Sequence, residues 1–338
     1  MKSQNFLNLL FRLIGVFLLF ASESVFALAG RTFVSTAGSD VGTCGATAPC
    51  RNFGYALTQT ASGGEIVVLT SGGYGAVVIA QSVTIIGEGV HPAVSAASGD
   101  AITINAPGGT VQIRGLSLIG GGTATNGINV VNGSTVVLSG LTIGGFQNGI
   151  NAIVPSASAS GPFPAVYVRD SLIKANSVAG VSIGGTTGSL GLVSAVIETC
   201  QLINNATGIQ ALDQGHVVVD SSDVLFGAVG ISANTANTAT AASVDVLLST
   251  LGSSSAAVVS VNTVSGSTAG VFLSTNTIVD ANLAASTFLS GTTCAITAGD
   301  GTCTITTDGG NVITNQGAVN ATYSVTPAGA ITTSVTLL

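Results

Sequence analysis

The stretches VYVRDSLIK (166–174) and AVIETCQLI (195–203) decide how this chain is read. In each, apolar residues alternate with polar ones, the alternation breaks at a small polar residue, and it then resumes. That is the pattern of two short half-buried strands meeting at a bend. The same nine-residue frame recurs upstream as VQIRGLSLI (111–119) and VVLSGLTIG (136–144). Downstream it returns as VVVDSSDVL (217–225), VDVLLSTLG (244–252) and VFLSTNTIV (271–279). Most frames are followed by a second element: Gly127-Ile128, Gly149-Ile150, Gly180-Val181, Gly208-Ile209 and Gly230-Ile231, weakening at Ala257-Val258. The runs EIVVL, AVVIA and SVTII, from Glu65, Ala76 and Ser82, read as shorter first turns.

Successive frames start 22 to 30 residues apart. A repeat of that length, with two or three short strands, is one turn of a wide coil. No turn buries its own apolar face, so each must stack on the next. The columns agree: Val111/Ile113, Val136/Leu138, Val166/Val168, Ala195/Ile197, Val217/Val219, Val244/Val246 and Val271/Leu273 point inward. Past the bend, Leu118, Ile143, Ile173, Leu202, Val224, Leu251 and Ile278 form another inward column. Beside the bend, Leu116, Leu141, Ser171, Cys200, Ser222, Ser249 and Asn276 change from leucine to small polar residues that can hydrogen-bond up the coil. The reading makes Cys200 a member of that ladder. The leucine spacing of a leucine-rich repeat is missing, and the repeat is too short for propeller blades.

A solenoid needs its ends covered. NFGYALTQT (52–60) predicts a short amphipathic helix, with Asn52 as N-cap and Phe53, Ala56 and Leu57 as its apolar stripe. With FVSTAGSD (33–40), PCRNF (49–53), GGEIVVL (63–69) and GGY (72–74), this segment resembles the N-terminal cap of secreted bacterial right-handed parallel β-helix repeat proteins of the pectin-lyase-like superfamily. The expected fold is therefore all-β: a right-handed parallel β-helix solenoid with a short N-terminal capping helix. The expected organisation is a signal peptide at 1–29, an N-terminal cap at 30–63, the β-helix at 64–285 and a C-terminal cap at 286–338, where the repeat is lost.

Lys2 and Arg12 precede the apolar run Leu13–Phe20, and Ala27-Leu28-Ala29 offers a small-x-small site, so cleavage is expected after Ala29. The run is too short to span a bilayer. The expected location is extracellular or periplasmic, with no membrane span after cleavage. Losing Lys2, Arg12 and Glu23 leaves 5 basic and 13 acidic residues, an acidic balance that argues against nucleic acid as a partner. Export permits disulfides. Cys44 and Cys50 flank a turn-rich loop, and Cys294 and Cys303 flank AITAGDGT, a hairpin-like segment; both pairs are candidate bridges.

The superfamily resemblance implies that reacting groups, where there are any, point outward from the sheet that carries the Gly-Ile strands. The outward residues there are Asn129, Asn151, Ser182, Gln210 and Ser232, none of them ionisable. A hydrolase of this superfamily would need paired carboxylates. A lyase would need acidic calcium ligands and a basic residue. Neither set lies in this row, and no cofactor or metal-ligand motif appears elsewhere. The charges fall on the other strand: Arg114, Ser139, Arg169, Glu198, Asp220, Leu247 and Ser274 form its outward column, with Asp245, Tyr167 and Lys174 nearby. Arg169, Glu198 and Asp220 read either as a sugar- or calcium-binding strip or as an exposed charge ladder with an Arg169–Glu198 cross-strand pair. His216 reads as a solvated turn residue, and His91 as a loop residue before Pro92.

Three functions remain open. The first is a non-catalytic secreted scaffold contacting polysaccharide or a cell-surface or matrix partner, with Asn129, Asn151, Ser182, Gln210, Arg169, Glu198 and Asp220 as candidate binding residues. The second is a polysaccharide lyase or glycoside hydrolase with an atypical site at Arg169, Glu198 and Asp220. The third is an adhesin-like self-assembling protein using the outward apolar residues Val137, Val196, Val218 and Phe272.

Overall fold

The computed structural model describes residues 28–154, 163–185, 191–236 and 240–252. Beyond these it describes the strands Ala257–Thr263, Thr268–Leu273, Ile278–Asp280, Cys294–Ile296, Thr302–Thr307, Val312–Thr314 and Thr332–Ser334. The expected signal peptide lies outside the described residues except for its last two, and Ala29 opens the first strand, Ala29–Val34.

The strands sort into three parallel sheets of twelve, ten and nine strands among the described residues. Apart from the two ends of the twelve-stranded sheet, each sheet takes every third strand in chain order, so one rung visits the three sheets in turn. Ala165–Arg169, Leu172–Lys174 and Ala179–Gly185 are one such rung. Each strand pairs with its equivalent one rung later: Val166 with Ala195, Ile173 with Leu202, Val181 with Ile209. The chain folds as a right-handed parallel β-helix, the hand that parallel crossovers of L-residues favour.

The inward columns fill the coil. Val111, Val136, Val166, Ala195, Val217 and Val244 are all buried, as are Leu118, Ile143, Ile173, Leu202, Val224 and Leu251. Two ends of columns shift by one residue from the sequence reading. Leu251 faces Val279 rather than Ile278, and Ile231 faces Val259 rather than Val258. A single-residue slip of this kind is invisible where both neighbours are apolar, as in Ile278-Val279 and Val258-Val259.

The bend after the twelve-stranded sheet is built by one left-handed residue per rung: Gly115, Gly140, Asp170, Thr199, Ser221 and Leu248 all have φ between 47° and 68°. The small polar column that follows it is a hydrogen-bonded spine, but its bonds run to backbone rather than between side chains. Ser171 Oγ accepts from the Leu141 amide (3.1 Å), Ser222 Oγ from the Cys200 amide (3.0 Å) and Ser249 Oγ from the Ser222 amide (3.1 Å). Each hydroxyl donates back to the carbonyl two residues before it: Ser171 to Arg169, Ser222 to Asp220, Ser249 to Leu247. A second spine follows the next bend. Asn176 Oδ1 accepts from the Phe146 amide (3.1 Å), and Asn205 Oδ1 accepts from Asn176 Nδ2 (2.8 Å) and from the Asn176 amide (3.2 Å).

At the N-terminal end, helix α1, Phe53–Gln59, buries Phe53, Ala56 and Leu57. Asn52 holds the N-cap position in extended conformation, yet its side chain makes no cap bond and donates instead to Asp40 Oδ2 (2.6 Å). Asp40 Oδ1 meanwhile accepts from the Arg51 and Asn52 amides (2.8 and 3.0 Å). Burial alone pushes the Asp40 carboxyl up. The Asn52 and Arg51 amides, the Asn52 side chain and then the Arg51 charge outweigh it and hold the carboxyl below the usual carboxylate range.

Cys44 and Cys50 form a disulfide with Cα atoms 4.8 Å apart. The loop it closes bonds to the strand Ala29–Val34: the Phe33 amide donates to the Cys44 carbonyl and the Cys50 amide to the Phe33 carbonyl. The sheet's first edge is thereby covered, which removes a template for strand addition. Replacing both cysteines by alanine is expected to lower stability by about 2 kcal/mol. A drop in the denaturant midpoint, with the remaining sheet signal intact, checks this.

The side chains of the second candidate pair, Cys294 and Cys303, lie outside the described residues. The hairpin expected between them is not formed. Cys294–Ile296 pairs parallel with Ala257–Thr263, and Thr302–Thr307 pairs parallel with Thr268–Leu273 in a different sheet. Parallel stacking thus continues past residue 285, and Thr332–Ser334 adds the last strand of the twelve.

Candidate functional site

The nine-stranded sheet carries the expected polar row. Thr103, Asn129, Asn151, Ser182, Gln210 and Ser232 are successive register partners, continued by Ser260. They stand in line because each lies one residue after a buried Ile or Val, and period 2 turns alternate residues to the outer face. Ser182 and Ser232 are buried, while Asn129, Asn151 and Gln210 are half-buried.

The lower end of the row holds a carboxylate that the sequence reading missed. Asp100 Oδ2 accepts from Asn129 Nδ2 (2.7 Å) and Thr103 Oγ1 (3.2 Å), and Asp100 Oδ1 accepts from Asn126 Nδ2 (2.7 Å). Asn151 Nδ2 donates in turn to Asn129 Oδ1 (3.0 Å) and Asn148 Nδ2 to Asn126 Oδ1 (3.1 Å), so two amide chains run down to one carboxylate. Three donors therefore converge on Asp100. It stands two residues before the strand Ile102–Ile104, outside any repeat frame, and no spacing signal marked it. Further up, Ser182 Oγ is buried with no protein hydrogen-bond partner among the described residues. A buried hydroxyl in that state calls for water or a ligand.

On the twelve-stranded sheet the charged column is in register as read: Ser139, Arg169, Glu198, Asp220 and Leu247 are successive partners. The expected Arg169–Glu198 ion pair is absent among the described residues, where Arg31 pairs with Glu65 and His216 Nε2 lies 3.8 Å from Asp245 Oδ2. Two long exposed side chains gain too little from such a pair to fix its geometry. Nor do the acids converge, since no group of three His, Cys, Asp or Glu side chains among the described residues is placed to hold a metal ion. Asp170 instead receives Thr199 Oγ1 (2.5 Å) at the bend.

His216 is in the strand Gly215–Asp220, not at a turn. Its Nδ1 lies 2.6 Å from Ser243 Oγ, and its Nε2 lies 3.8 Å from Asp245 Oδ2. By residue type alone this is Ser, His and Asp. Acyl transfer also needs oxyanion donors, and the amides of a sheet interior are committed to the ladder. Two grooves of about 330 and 340 Å³ occur near the N-terminal rungs, lined around Gln81 and Gly108 and around Glu88 and His91. Neither touches the polar row or the charged column.

Cys200 is buried in the spine, its Sγ 3.2 Å from the Glu198 carbonyl. Burial pushes its thiol up to about 11. The sign follows: the folded state keeps the proton that the unfolded state releases near its ordinary value of 9.0, so stability is complete below pH 9 and falls as pH rises towards 11. The expected result is a Cys200 that stays unlabelled by a thiol reagent at pH 8 until the chain is unfolded, read by peptide mass mapping.

No family model matches the chain, and no curated protein matches it. Three solved structures resemble it. One is a pectate lyase, Pel9A, with 12% identity over 86% of this chain and 79% of that one, at a TM-score of 0.47. The second is an alginate lyase from Paenibacillus sp. str. FPU-7, with 15% identity over 86% and 97%, at 0.48. The third is the enzymatically active domain of tailspike protein 2 of bacteriophage CBA120, with 11% identity over 85% and 46%, at 0.48. At this similarity a shared architecture carries no activity across.

Proposed function

We propose that this protein is a non-catalytic β-helix scaffold, exported from the cell, that holds an uncharged stretch of glycan along the outer face of its nine-stranded sheet. The observation that carries this reading is the row Asn151, Ser182 and Gln210. It is uncharged, its central hydroxyl is buried without a protein partner among the described residues, and it ends at a carboxylate already held by three donors. Amides and hydroxyls one rung apart, at about 4.8 Å, offer paired donors and acceptors to the hydroxyls of an extended sugar chain. Hydrolysing a glycosidic bond by an acid–base pair would require a second carboxylate in the same row, and an eliminating lyase would require a basic side chain there; neither faces Asn151, Ser182 or Gln210 among the described residues. The Cys44–Cys50 bridge supports an oxidising compartment. No helix among the described residues is long and apolar enough to cross a membrane. The acidic composition is why nucleic acid is not the partner proposed.

The test is affinity electrophoresis against a panel of neutral and uronic-acid polysaccharides, with product analysis of the same samples. Retardation by a neutral polymer, weakened about tenfold in Asn151→Leu/Gln210→Leu through lost hydrogen bonds, is the expected result. New unsaturated or reducing ends would overturn it.

A further inference from the structure

We propose that the outer face of the twelve-stranded sheet docks on the same face of a second copy of this chain, the two coils lying antiparallel. This face is separate from the polar row and its argument does not rest on the glycan reading. Its central column is apolar on the middle rungs: Val137, Tyr167, Val196 and Val218 are successive partners. Tyr167 is 42% exposed. The column beside it is charged and polarised along the coil, with Arg114 and Arg169 on the earlier rungs and Glu198 and Asp220 on the later ones. Arg169 and Glu198 are both exposed, and neither is in an ion pair among the described residues.

That arrangement complements itself. In a face-to-face pair the two-fold axis lies in the plane between the sheets. An axis parallel to the strands, midway between the rungs of Arg169 and Glu198, keeps each column opposite its own equivalent and reverses the order of rungs. Arg169 of each copy then faces Glu198 of the other, so the contact forms twice. Tyr167 faces Val196, and Val137 faces Val218, so the apolar column covers itself. An axis along the coil over the charged column would set Arg169 against Arg169 and Glu198 against Glu198, and one over the apolar column would leave Arg169 opposite Ala165, so neither pairs the charges. The charges therefore select the antiparallel pair. Six rungs at about 4.8 Å and five residues per strand give about 500 Å² on each copy, the size of a weak, reversible dimer.

The experiment is sedimentation velocity of the full chain over a wide concentration range. The expected result is a monomer–dimer equilibrium weakened by salt. Arg169→Glu and Glu198→Arg each weaken it at least tenfold, and Arg169→Glu/Glu198→Arg together restore it to within about threefold of the parent. Recovery in the doubly changed chain excludes misfolding as the cause of the single losses. A chain that stays monomeric throughout, or one whose association ignores both single reversals, overturns the proposal. So does a double variant no better than the single ones.

Discussion

Asn205→Ala is expected to lower the unfolding free energy by about 3–5 kcal/mol, more than any surface change in the molecule. Asn205 is 1% exposed. Its Oδ1 receives the Asn176 amide and Asn176 Nδ2, and its Nδ2 donates to the Ile173 carbonyl (2.9 Å). Truncation leaves two buried donors, the Asn176 amide and Nδ2, without partners and removes one bond from the Ile173 carbonyl, which the strand pairing still holds; each lost partner costs about 1–3 kcal/mol, less whatever an entering water recovers. The loss is also local. Asn176 passes the chain of bonds on to the Phe146 amide, so the bend one rung earlier loosens as well. Guanidinium unfolding checks the magnitude, with Gln201→Ala on an exposed site as control. Amide exchange at Asn176 and Phe146 checks the location. A change of less than about 1 kcal/mol would mean that the spine is wetter than the structure has it.

Gly180→Ala is the second large effect, expected at about 2–3 kcal/mol. The Gly-Ile elements of the sequence have a steric reason. A Cβ on Gly127, Gly149, Gly180 or Gly208 would stand 2.6 Å from the carbonyl oxygen of the glycine one rung later. At Gly180 it would also meet Asn205 Nδ2 at 2.9 Å, so the methyl group presses on the asparagine spine as well. Neither the carbonyl nor the locked amide moves without breaking a bond, which puts the cost at the upper end of ordinary overpacking. Gly121, where an added Cβ would meet nothing within 4 Å, is the control and should tolerate alanine. Midpoints that fall equally for the two variants would contradict the steric account. The two sites touch, so Asn205→Ala/Gly180→Ala should cost less than the sum of its parts.

How far the sequence could be read follows from what each position has to satisfy. The inward columns were legible because a rung that misplaces Val166 or Ile197 turns its whole apolar set to solvent, so the register is written in period 2. The polar row followed by the same parity. The bond pattern did not. Asn176 and Asn205 each sit three residues after the last inward residue of their frames, Ile173 and Leu202, a repeated offset that was there to be seen. The rungs on either side put Phe146 and Gly227 at that offset, and the column is lost to inspection. Asp100 belongs to no frame and enters the row only because the chain folds it under Asn126 and Asn129. Arg169 and Glu198 were rightly placed as neighbours. Whether two flexible exposed side chains then pair is decided by entropy and solvent, which no spacing encodes.

The central claim is that Asn151, Ser182 and Gln210 stand on one face, one rung apart. Paired cysteine substitutions measure this directly, because a disulfide forms only when Cα atoms are within about 7 Å. Under mild oxidation, Asn151→Cys/Ser182→Cys and Ser182→Cys/Gln210→Cys should each give the cross-linked peptide on mass mapping, and Asn151→Cys/Gln210→Cys should not. Efficient bridging of 151 to 210, or none in either adjacent pair, would contradict the register and with it the binding row.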